Sequence, residues 1–85
     1  MEVKCLESTF DVPDIMVNKF FNDFDGLAGS AHRGSVLQLR QHVNEMIDAV
    51  AEEPELLEDP NNMIDFIRTL AIKKALENHG LLYDA

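Results

Sequence analysis

The sequence predicts an all-α protein: a small antiparallel bundle of three main helices, with a short fourth turn and an extended N-terminal arm. Three observations carry that expectation. Apolar residues recur in steps of three and four through three separate stretches, and no other part of the chain is as periodic. Each stretch is bounded by residues that start or stop helices. The composition is that of a folded chain: 85 residues, 46% hydrophobic, with 5 Phe and 4 Met against only 4 Gly and 3 Pro.

Residues 1–10 carry the weakest pattern. Val3 and Cys5 alternate with Glu2 and Lys4 as in a short strand, whereas Leu6 and Phe10 fit a helical turn. No second strand is evident to pair with them. The segment is therefore expected as an extended arm, with one helical domain over residues 11–85.

The first helix is expected to begin at Asp11 as N-cap, with Pro13 in the opening turn. Met16, Val17, Phe20, Phe21, Phe24, Leu27 and Ala28 fill one arc at about 100° per residue. Asp14, Asn18, Asn22 and Asp25 fill the other side. Gly26 and Gly29 weaken this helix, and Gly29–Gly34 reads as a loop. Ser35-Val36-Leu37-Gln38 has capping-box spacing and opens the second helix. Its seam is Val36, Leu39, Val43, Met46, Ile47 and Val50. Pro54 stops it near Glu53, because the residue before a proline disfavours helical geometry. Glu55–Glu58 reads as the short turn, with Leu56 and Leu57 tucked under the core. Asp59 as N-cap and Pro60 at the first position open the third helix, which runs to Asn78 or His79. Gly80 suits its left-handed C-terminal cap. Met63, Ile64, Phe66, Ile67, Leu70, Ala71 and Ala75 share its core face.

A chain of this size makes one domain, with a thin margin of buried surface. Small scaffolds without disulfides gain from a second copy or a partner. The single Cys5 excludes an internal disulfide and suits a reducing compartment. No apolar run approaches the roughly 20 residues of a membrane span. The first residues have neither the basic nor the apolar region of a signal peptide. A cytoplasmic, soluble protein is the expectation.

Candidate chemistry is sparse. Aligning Gly26 with the sixth position of a calcium loop puts Phe21 at the first and His32 at the twelfth, where carboxylates are required. Ala31-His32-Arg33-Gly34-Ser35 resembles the histidine segment of phosphotransfer bundles only faintly, since His32 sits in a Gly-flanked loop. Gly34-Ser35-Val36-Leu37, in an acidic helical chain of this length, resembles the attachment site of acyl carrier proteins. That resemblance implies a prosthetic arm on Ser35. It covers topology and charge, and Gly34 stands where that family has Asp. His42 and Glu45 point away from the helix seam and have no second copy, so no metal site is expected. His79 suits the last carbonyls of its helix. No catalytic constellation and no cofactor site are visible, and the protein is expected not to be an enzyme.

Charge carries the functional expectation. Between Arg40 and Arg68 stand eight acids and no Lys or Arg, in a chain of net charge −9. Such a field repels nucleic acid and anionic membrane and attracts basic protein surfaces. Glu45, Asp48, Glu52, Glu53, Glu55 and Glu58 are therefore candidate partner-binding acids. Ile72 and Leu76, on the face of the third helix opposite its core side, are candidate apolar contacts together with Leu81, Leu82 and Tyr83. The expected function is a small acidic binding module, an inhibitor or adaptor, docking on a basic surface of a larger protein. A nucleic-acid-binding groove is one such surface. The alternatives are a structural subunit of a homo-oligomer or larger assembly, and the carrier-like protein modified on Ser35.

Overall fold

A computed structural model describes residues 1–27 and 32–82 of the chain. Two strands come first, β1 (Glu2–Cys5) and β2 (Ser8–Asp11), followed by helices α1 (Asp14–Asp23), α2 (Arg33–Glu52) and α3 (Pro60–Asn78). A 3-10 helix over Pro54–Glu58 joins α2 to α3. The expectation of an all-α bundle with an extended arm is thereby corrected. The chain is largely helical, but its N-terminus is a two-stranded antiparallel sheet.

The missing partner strand was Ser8–Asp11, and its turn explains why it is hard to see. Leu6 and Glu7 occupy the two turn positions with φ of +52° and +65°. Two positive φ values in a two-residue loop are the pattern of a type I′ turn, whose usual signature is Asn-Gly. This turn contains neither residue. The register pairs Glu2 with Asp11, Val3 with Phe10, Lys4 with Thr9 and Cys5 with Ser8. Met1 and Val12 extend the ladder: the Val12 N–H donates to the Met1 carbonyl at 2.8 Å, and the Met1 amine donates back to the Val12 carbonyl at 2.5 Å. Antiparallel pairs alternate between bonded and non-bonded. Pairs 3/10 and 5/8 therefore exchange hydrogen bonds as 1/12 does, and the amides of Glu2, Lys4, Thr9 and Asp11 face outward.

A lone hairpin is marginal in water, and this one is held by its inner face. Val3, Cys5 and Val12 are buried in one cluster with Val17, Val50, Phe66, Leu70 and Ala71. The Phe10 ring meets Phe66 edge-on, with centroids 5.1 Å apart.

Helix boundaries follow local chemistry with three corrections. Helix α1 starts at Asp14 behind Pro13, whose carbonyl accepts from the Met16 and Val17 amides. Asp11 belongs to β2 and caps nothing. Helix α2 starts at Arg33, so Ser35 lies within its first turn and makes no capping hydrogen bond. Helix α1 also ends at Asp23, short of the Leu27 that its expected arc includes, whereas the other expected ends hold. Gly26 turns the chain after α1 with φ of +89°, and Glu53, before Pro54, leaves helical geometry at φ −130°, ψ 77°. Asp59 accepts from the Asn61 amide at 2.9 Å, with Pro60 opening α3. At its other end Gly80 adopts φ of +71°. The Gly80 N–H donates to Glu77 at 2.9 Å and the Leu81 N–H to Leu76 at 2.8 Å. This pair of bonds is the Schellman motif. The loop expected at Gly29–Gly34 lies partly outside the described residues, as does Ala28.

Helix α3 is the centre of the fold. Val17 of α1 packs with Phe66 and Leu70, and Phe24 with Ile72 and Leu76, so α1 runs parallel to α3. Val50 of α2 joins the first cluster and Val43 the second, so α2 runs antiparallel. A helix covered from both sides must be apolar around most of its girth. Phe66, Thr69, Leu70, Ala71, Ile72, Ala75 and Leu76 are all buried. Thr69, the one buried polar residue among those described, donates its hydroxyl to the Asp65 carbonyl at 2.9 Å.

Candidate functional site

The C-terminal apolar patch is resolved against exposure. Ile72 is 8% exposed and Leu76 is fully buried. Both pack with Phe24 and Val43, and Leu81 and Leu82 close over that cluster. The expectation failed because the end of α1, α2 and the tail together cover this face of α3. Arg40 of α2 secures the tail, its Nε donating to the Leu81 carbonyl at 2.6 Å. Tyr83 lies outside the described residues. At the same end the His79 ring stacks on Phe21, 3.9 Å between centroids, and Nε2 donates to the Phe21 carbonyl at 2.6 Å. His79 therefore serves the end of α1, not the carbonyls of its own helix. Phe20 and Phe24 turn inward, which leaves only Phe21 of that trio exposed.

Glu45, Asp48, Glu52, Glu53, Glu55 and Glu58 are all exposed, and none forms an ion pair among the described residues. Helical geometry sorts the first three. At about 100° per residue, Asp48, Glu52 and Glu45 span an arc of about 60° on the side of α2 away from its Val36–Val43–Val50 seam. Glu53, Glu55 and Glu58 then follow the chain around Pro54.

An apolar groove of about 420 Å³ is lined by residues next in sequence to Glu52, Glu53, Glu55 and Glu58. Leu6, Glu7, Ser8 and Phe10 of the hairpin form one wall, and Val50, Ala51, Pro54 and Leu57 the other. Its volume is in the range of ligand and peptide sites. The groove lies where the hairpin turn and β2 face the last turn of α2 and the Pro54–Glu58 helix. Sequence reasoning found the acids but not the groove, because half of it is the unrecognised hairpin. Thr9-Phe10 beside the Val3/Cys5 alternation was the available signal.

Cys5 is buried on the inner face of β1, and burial pushes its thiol above the ordinary value of 9.0, with Lys73 pulling the other way. Raised thiols are poor nucleophiles. Ser35 is exposed in the first turn of α2, and His42 is exposed farther along the same helix. No cluster of three or more His, Cys, Asp or Glu side chains suited to a metal is found among the described residues. No helix among them is long and apolar enough to cross a membrane. No known family, no curated protein and no solved structure matches this chain.

Proposed function

We propose that this protein is a non-enzymatic binding module, an inhibitor or adaptor, that docks a basic surface of a larger protein at the end of the fold formed by the close of α2, the Pro54–Glu58 helix and the hairpin turn. One observation supports this best: six exposed carboxylates form no ion pair among the described residues, and four of them, Glu52, Glu53, Glu55 and Glu58, adjoin in sequence the residues that line an apolar groove. In a working interface the acids steer encounter and shape the rim, and the apolar floor contributes most of the affinity. A basic nucleic-acid-binding groove on the partner is one target of this kind.

The test is a quantitative comparison of the wild type with the variant E52K/E53K/E55K/E58K. A partner recovered from the native source should bind the wild type with affinity falling steeply between about 0.05 and 0.5 M salt. The variant should not bind. Partner affinity that survives the reversal would end this reading.

A second reading, the structural subunit, draws on Ile15 and Ile64, which are 81% and 53% exposed. Light scattering decides it, since a stable oligomer would scatter above monomer mass without any partner. The carrier reading has the accessibility of Ser35 in its favour. Intact mass from the native host would show or exclude an added prosthetic group.

A further inference from the structure

We propose that the groove receives an extended basic-and-apolar protein segment, which adds to the free edge of β2 as a third strand. This inference rests on the binding-module reading and names the partner's chemistry and mode of docking.

The geometry comes from the hairpin register. Thr9 and Asp11 turn their backbone N–H and C=O away from β1, as the bonded pairs 1/12, 3/10 and 5/8 require. Among the described residues no other backbone group bonds to them. The groove borders this side of the hairpin: its wall contains Ser8 and Phe10 of β2 and neither Val3 nor Cys5 of β1. An incoming strand beside β2 would thus bond to Thr9 and Asp11 while alternate side chains enter the groove next to Phe10 and Leu57. Strand addition onto an exposed sheet edge is an established recognition mode, with main-chain bonds supplying affinity and side-chain pockets supplying selectivity. A helix laid in the groove would leave the Thr9 and Asp11 groups unpaired.

Charge selects the occupant. Glu7 lines the groove, Glu52, Glu53 and Glu55 adjoin its lining residues in sequence, and Asp11 lies on the strand edge itself. Lys4 is the only Lys or Arg of the hairpin and sits exposed on the outer face. A segment alternating apolar residues with Lys or Arg matches both the floor and the rim.

The probe is a fluorescent, end-capped peptide of about nine residues alternating Leu and Lys. It is followed by anisotropy beside a peptide of the same composition with Leu at helical spacing. The alternating peptide should bind more tightly, and N-methylating the two amides that face β2 should weaken it about tenfold or more. Thr9→Pro should weaken it comparably while leaving the fold intact, because the lost N–H faces outward and prolines are tolerated on such edges. The N-methylated peptide tests the unaltered protein, so it does not depend on how that variant folds. Undiminished binding of the N-methylated peptide, tighter binding of the helical one, or no binding at about 1 mM overturns strand addition. If E52K/E53K/E55K/E58K binds the alternating peptide as well as the wild type does, the basic-partner reading itself fails. If that reversal abolishes binding while N-methylation and Thr9→Pro do not, only strand addition fails.

Discussion

Glu7→Gly should stabilise this protein. Leu6 and Glu7 sit at φ of +52° and +65°, a region that costs a non-glycine residue about 1–2 kcal/mol. The hairpin tolerates that strain because Val3, Cys5, Val12 and Phe10 anchor it on Phe66 and its neighbours. Glycine at position 7 removes the clash between Cβ and backbone. Against this, glycine gives the unfolded chain more freedom, worth about 0.4–1 kcal/mol. The expected net gain is about 0.5–1 kcal/mol, which raises Tm by about 3–6 °C in a domain of this size. Leu6→Asn would relieve similar strain but sacrifice the packing of a side chain that is 41% exposed, so it should be close to neutral. Glu7→Ala is the control. It removes the same charge and keeps Cβ, so it should leave Tm unchanged. Thermal and urea unfolding of the three variants decide the matter. A Tm for Glu7→Gly equal to or below that of the wild type, with an unchanged urea slope, would refute the strain account.

Two further outcomes follow from local structure. Asp59→Ala should cost about 1 kcal/mol through loss of the bond to the Asn61 amide, whereas Ser35→Ala should be near neutral because Ser35 caps nothing; urea unfolding of both variants checks the contrast. Cys5 should react slowly with thiol reagents at neutral pH until the protein unfolds. Because its folded thiol ionises above the ordinary value of 9.0, the unfolded chain releases that proton first. The stability contribution is therefore complete below pH 9.0 and declines as pH rises from there toward the folded value. In Cys5→Ser that decline should be absent from the pH dependence of urea stability.

The three helices were legible because their signals act over a few residues. The Asp59-Pro60 start, the Pro54 stop and the Gly80 cap each concern bonds within about one turn of chain. The hairpin was illegible for an equally local reason: its turn runs through Leu6-Glu7, where Asn-Gly would have announced it. Its stability comes from Phe66, far along the chain. The acids of the candidate site could be read directly, but the groove could not. Ile72 and Leu76 show the same limit. Periodicity marked them as lying off the principal apolar face, yet it could not say that α2 and Leu81 would cover them.

By itself, then, the sequence determined three helices, most of their ends, and a strongly acidic stretch with no bases between Arg40 and Arg68. Those properties depend on backbone capping, side-chain spacing and formal charge, all of which are written locally. Only the tertiary structure decided that α3 is central, that the first residues form a sheet, and that an apolar groove lies where the hairpin faces the last turn of α2. Each of these requires residues distant in sequence to meet, as Phe10 meets Phe66 and as Leu6 comes to lie across a groove from Leu57. A helical period specifies which residues share a face, but the partner packed against that face is set by the balance of buried area over the whole chain.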